Sequence, residues 1–164
     1  MTVYTVDITH QWQLRLESEY KHRTEGNHLI LWTAGISILT TVYNYSGDKD
    51  RRMLLANLSA KAQSKKQEII QEISGNLVRF GYLQPEEVRP GWTRLALHAF
   101  TMAEFSCLQT SIYLDRVEDL EKALIIWRDL QYLEPEQFSQ FCTYLLRRID
   151  NGQQKSTFKG AFVL

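Results

Sequence analysis

The apolar positions of this chain recur mostly three and four residues apart. Ile8, Trp12, Leu16 and Tyr20 stand at successive intervals of four, with Gln, Arg, Glu and Lys between them. This spacing puts them on one stripe of a helix that starts near Asp7 or Thr9, both good N-cap residues, and ends at Gly26-Asn27. The most apolar run, GNHLILWTAGISILTTVYNYSG from Gly26 to Gly47, predicts a second helix over about 28–45. A third begins around Asp48 or Asp50 and runs toward Phe80, with Leu55, Leu58, Ala62, Ile69, Ile73, Leu77 and Phe80 on one side. It breaks or kinks at Ser74-Gly75-Asn76 and stops at Gly81.

The segment YLQPEEVRPGW interrupts the pattern with Pro85 and Pro90-Gly91 and predicts a hinge over 82–91. From Trp92 to about Leu114 the apolar residues, among them Leu95, Leu97, Phe100, Met102, Phe105, Cys107, Leu108 and Ile112, lie nearly all round a fourth helix and mark it as central. Asp115 and Glu118 have capping-box spacing ahead of a fifth helix through Val117, Leu120, Leu124 and Trp127. Glu134-Pro135 opens a sixth, which carries Phe138, Phe141, Leu145 and Ile149 and stops at Asn151-Gly152. The expectation is therefore an all-α fold: a single helical bundle of five to six helices, with two central apolar helices at about 28–45 and 92–114. One domain spans 1–152, and a flexible or docking tail spans 153–164.

Composition narrows the function by exclusion. With 164 residues, 44% of them apolar, the chain can bury one sizeable core. Nineteen basic residues balance nineteen acidic ones, so no global charge draws the protein to nucleic acid or anionic lipid. A helix over 28–45 would be ~27 Å long, near the hydrocarbon thickness of a bilayer. Its polar residues Thr33, Ser37, Thr40, Thr41 and Asn44 form one narrow stripe, however, which predicts a buried spine and no membrane span. The start MTVYTVDITHQW lacks the basic and apolar regions of a secretory leader, and the expected location is cytoplasmic. Cys107 and Cys142 both fall inside apolar patterns and are expected to be buried thiols.

Several constellations offer chemistry. Arg23 and His28 enclose the segment RTEGNH, whose spacing resembles the Arg-x-His signature of HEPN-type ribonucleases. The resemblance implies an all-α dimer in which the His works as acid or base and the Arg stabilises phosphorane charge. Thr24 stands where that family favours a polar residue, often Asn, and Gly26-Asn27 breaks the helix that should carry the motif. Carboxylate-x-x-His pairs occur at Asp7/His10, Glu19/His22 and Glu25/His28, but they crowd into the first 28 residues, so solvated faces are expected and no metal site. Arg94, His98, Thr101 and Glu104 share one side of the fourth helix as a possible polar pocket. Neither a GxGxxG nor a GxxxxGK[ST] loop is present, and no cofactor is expected.

Local charge is uneven. From Gly47 to Lys66 there are six basic residues against two acidic, which makes Arg51, Arg52, Lys61, Lys65 and Lys66 candidate contacts to phosphate or to an acidic surface. Arg147 and Arg148 join them near the sixth helix end. Phe158, Phe162, Val163 and Leu164 close the chain as candidate partner-binding residues. The leading expectation is a non-catalytic α-helical adaptor or subunit acting through protein partners or self-association. The alternatives are a helical subunit that contacts nucleic-acid backbone, and a metal-independent ribonuclease using Arg23 and His28.

Overall fold

The computed structural model describes residues 2–45 and 50–133. Along the chain come β1 (Tyr4–Asp7), β2 (Trp12–Leu16), β3 (Lys21–Glu25), β4 (His28–Thr33), β5 (Ile36–Asn44), helix α1 (Arg51–Ser64), β6 (Glu68–Ser74), β7 (Leu77–Arg89), β8 (Trp92–Met102), β9 (Ser106–Leu114), a single 3-10 turn at Val117–Asp119, helix α2 (Leu120–Arg128) and β10 (Gln131–Tyr132). These elements fall into two compact units, one built from the chain up to Ser18 and again from Asp129, the other from Glu19–Arg128.

The smaller unit holds an antiparallel three-stranded sheet ordered β1-β2-β10. Trp12, Leu14 and Leu16 alternate along β2 and are buried, while Gln13 and Arg15 point the other way. The Thr9 hydroxyl accepts from the backbone N–H groups of Gln11 and Trp12, both at 3.1 Å, and so turns β1 into β2. The Tyr132 ring packs on Trp12 with centroids 4.5 Å apart.

The larger unit is a seven-stranded antiparallel sheet ordered β3-β4-β5-β9-β8-β7-β6. Two meanders, β3-β4-β5 and β6-β7-β8-β9, are joined by α1, which carries the chain to the far edge so that β9 returns to pair with β5. Side chains of directly paired residues share a face. One face bears Ile38, Leu97, Leu108 and Ile112, all fully buried, and is covered in part by α2 through Ala123, Ile126 and Trp127. The other bears Phe80, Phe100, Met102 and Cys107, which pack against Ala62, Leu54, Leu55 and Leu58 of α1.

This architecture overturns the all-α bundle. The intervals of four that suggested helices are also multiples of two, so a residue and its fourth neighbour share a face in a strand as well as in a helix. The first expected helix is β2 and β3, the second is the β4-β5 hairpin, and the fourth is the β8-β9 hairpin. Positions 92–114 look apolar all round because β8 and β9 are central strands with buried residues on both faces. Gly26-Asn27, Gly75-Asn76 and Pro90-Gly91 are two-residue hairpin turns rather than helix ends. Gly26 takes a φ of 61° where type II′ turns place glycine first, and Pro-Gly suits a turn with positive φ in second place, as at Gly91. Pro85 lies within β7 past Leu83, the last β7 residue paired with β6, so its missing N–H costs no ladder bond on that side.

Two helices do form. The side chain of Asp50 caps α1, accepting from the N–H groups of Arg52 at 3.0 Å and Met53 at 3.1 Å. Helix α1 stops at Ser64 instead of running on to Phe80, closed by a Schellman motif in which Lys66 N–H donates to Gln63 O and Gln67 N–H to Ala62 O. The fifth expected helix is present in α2, although Arg116, not Asp115, is the residue preceding its 3-10 turn. The sixth expected helix and the 153–164 tail lie outside the described residues. No helix among the described residues is long and apolar enough to cross a membrane.

Candidate functional site on the α1 face of the large sheet

Helix α1 covers only part of its face. The uncovered part holds two arrangements of side chains that the strands bring together.

The first is a polar relay across β7, β8 and β9. Glu86 and Arg94 are register partners, as are His98 and Ser111, and all four share the α1 face with Tyr82 and Tyr113. Arg94 Nε donates to Glu86 Oε2 at 3.1 Å, and its guanidinium lies 4.2 Å from the centre of the Tyr113 ring. His98 Nδ1 meets the Ser111 hydroxyl at 2.9 Å, while its Nε2 faces Glu86 Oε1 at 4.0 Å. Rings of Tyr82 and Tyr113 flank the imidazole at 5.1 and 6.0 Å. Burial holds the His98 pKa below its ordinary value, and the Glu86 charge only partly opposes this, so the imidazole is neutral at neutral pH. Ser111 is 2% exposed, which closes its hydroxyl to a substrate.

The second arrangement is a groove of about 400 Å³ between the first turns of α1 and the ends of β5 and β9. Met53, Leu54, Phe100, Tyr43 and Tyr45 supply apolar wall, and Asn44, Asn57, Gln109 and Asp50 supply polar lining. The Tyr43 hydroxyl donates to Gln109 Oε1 at 2.9 Å, which orients that amide. Burial raises the Tyr45 pKa, and its hydroxyl sits beside the buried Cys107 thiol without a good hydrogen bond. Burial likewise pushes the Cys107 thiol up to about 12, so it is an inert core group and not a nucleophile.

The residues singled out from sequence scatter. Arg23 is exposed on edge strand β3, paired with Glu25 at 3.2 Å and lying over Trp32. His28 opens β4, and its Nδ1 meets the Thr41 hydroxyl at 2.8 Å. The helical carrier implied by the ribonuclease resemblance is therefore absent from these residues. Arg94 and His98 do meet, through Glu86, because a spacing of four keeps a strand face. Thr101 points to the opposite face, where it binds Trp127, and Glu104 is exposed in the β8-β9 turn. Arg51 donates to the Asn76 carbonyl at 2.6 Å, and Arg52 pairs with Asp50. Lys61, Lys65 and Lys66 cluster at the C-terminal end of α1. Arg147, Arg148, Phe158, Phe162, Val163, Leu164 and Cys142 lie outside the described residues. Among the described residues, no group of three or more His, Cys, Asp or Glu is placed to hold a metal.

Sequence reasoning missed Glu86, Ser111, Tyr113, Tyr43, Met53, Asn57 and Gln109. Period-two reading puts alternate residues of β7, β8 and β9 on one face, but only the strand register brings the first three beside His98. Nothing local pairs α1 with β5 and β9, since that contact depends on the crossover. The sequence matches no protein-family model and no curated protein.

Proposed function

We propose that this chain is a non-catalytic binding module that takes an extended segment of a partner protein into the groove beside α1. The observation that carries this reading is the groove's lining: a methionine, a leucine and aromatic rings as walls, with neutral amides among its polar groups. Such walls accept an apolar side chain, and methionine adapts to its shape. Asn and Gln side chains donate and accept, so they suit the N–H and C=O groups of a peptide backbone. A catalytic reading has less support, because the one His-Ser contact of the relay is buried and its imidazole is neutral. A nucleic-acid reading has less support too, because two of its candidate contacts are engaged within the chain, Arg51 with the Asn76 carbonyl and Arg52 with Asp50, which leaves it to Lys61, Lys65 and Lys66 at the end of α1.

The test is a photo-crosslinking side chain at Met53, compared with one at the exposed Ala60 on the same helix. Partner adducts should form at Met53 and disappear when Asn57→Arg is added, with the circular dichroism spectrum unchanged. Equal adducts at both positions, or none lost with Asn57→Arg, would end the proposal. Retention of the protein on single-stranded RNA or DNA at low salt, weakened by Lys65→Glu and Lys66→Glu, would favour the nucleic-acid reading instead.

A further inference from the structure

The two edges of the large sheet are built differently. All five residues of β3 are exposed and carry Lys21, Arg23 and Glu25, the charged dressing that keeps an edge from pairing. Strand β6 is seven residues long and contains no Lys, Arg or Pro. No bulge interrupts its pairing with β7. Its Ile73 is 74% exposed although it sits in a strand, while Ile69 on the same face is partly buried against the α1 core. Its only charges are Glu68 and Glu72, the latter held by Arg128, and an isoleucine left in water at so lightly charged an edge is what natural sheets avoid unless the edge is used.

We infer that β6 pairs with β6 of a second copy of this chain, antiparallel, about a two-fold axis through Gln71. Charge and register select this arrangement among the symmetric ones. Centring on Ile70 places Glu68 opposite Glu72, and centring on Glu72 places that residue opposite itself; both oppose like charges. Centring on Ile69, or nearer either end, leaves much of the strand unpaired. With Gln71 at the axis every residue of β6 finds a partner: Ile69 faces Ile73, Ile70 faces Glu72, and Glu68 faces Ser74. The isoleucine pair occurs twice by symmetry, so the exposed Ile73 of each copy is covered by Ile69 of the other.

A two-fold axis perpendicular to the sheet keeps equivalent faces together. The product is a continuous fourteen-stranded sheet with both α1 helices on one side and both α2 helices on the other, in line with the seven-strand order of each copy. Seven paired residues span only ~23 Å of strand, a small contact. It matches the low-area class of interfaces, so the dimer is reversible and concentration-dependent.

Sedimentation velocity over a concentration series reaching the high-micromolar range tests this directly. The wild-type chain should shift from monomer to dimer, and Ile73→Lys should weaken the dimer by about tenfold or more, since it removes both isoleucine pairs and adds edge charge. Ile73 is exposed, so this variant should fold, which far-ultraviolet circular dichroism checks. A second measurement fixes the register: under mild oxidation Gln71→Cys should give a disulfide-linked dimer, whereas Thr24→Cys on the β3 edge should not. A chain that stays monomeric throughout overturns the inference. So does a dimer indifferent to Ile73→Lys, or a cross-link at position 24 in place of 71.

Discussion

The indole N–H of Trp127 donates to the Thr101 hydroxyl at 2.9 Å, and both residues are fully buried between α2 and the large sheet. A buried tryptophan needs a partner for its one polar atom, and this strand supplies it. Thr101→Val keeps the shape and removes the acceptor. It should cost about 1–3 kcal/mol, the penalty for leaving a buried donor unpaired. Urea denaturation monitored by tryptophan fluorescence measures it, and an unchanged midpoint would contradict the assigned role.

Trp127 also explains Gly81. A β-carbon at position 81 would lie 2.8 Å from the end of the indole ring and 3.4 Å from the His98 carbonyl. Neither the packed ring nor the neighbouring strand can yield freely. Gly81→Ala should therefore destabilise by about 1–3 kcal/mol, the usual cost of overpacking, even though alanine suits strand backbone better than glycine. Combined with Trp127→Phe the two effects should be less than additive, because the smaller ring removes the clash.

The end of α1 offers a stabilising change. Lys66 adopts a φ of 55° at the Schellman position that glycine normally fills. A side chain there strains the left-handed backbone. Lys66→Gly should raise stability by roughly 0.5–1 kcal/mol after the entropy of a more flexible unfolded chain is discounted. A lower melting temperature than wild type would show that the lysine side chain makes a contact worth more than the strain.

His98 gives the fold a pH dependence of known sign. Its folded pKa is held below the ordinary 6.5 by burial. Between that depressed value and 6.5 the unfolded chain binds a proton that the folded chain does not. Stability is thus full above about pH 6.5 and falls as the pH drops toward the folded value, by at most about 1.4 kcal/mol per pH unit. Subtracting the stability curve of His98→Gln from that of the wild type should isolate this slope. A difference that is flat from pH 7.5 to pH 5 (roughly one unit above and 1.5 below the ordinary imidazole value) would mean that the imidazole gains charge freely in the fold.

The candidate site was only partly legible before folding. Arg94 and His98 share a face for a reason that does not discriminate, since a spacing of four serves a strand face and a helix face alike. Glu86 joins them because β7 pairs with β8 in one particular register, and Ser111 because β9 pairs on the other side. Those are contacts between strands, invisible to local periodicity. The groove depends on α1 crossing one face of the sheet, which no single segment encodes.

By itself the sequence determined the local punctuation. Asp50 caps a helix because its short carboxylate reaches two free N–H groups. Leu120 to Trp127 form a helix, with Ala123, Ile126 and Trp127 on its buried side. Gly26-Asn27, Gly75-Asn76 and Pro90-Gly91 stop what precedes them because glycine accepts positive φ and proline has no N–H. What lies between those stops was decided by the tertiary structure. A segment such as ISILTTVYN has apolar spacing compatible with either period, and a strand has no hydrogen bonds of its own until a neighbour provides them. Only where β5 pairs with β9, more than sixty residues further along the chain and across the α1 crossover, does the extended form satisfy its backbone and bury Ile36, Ile38 and Thr40 on one face.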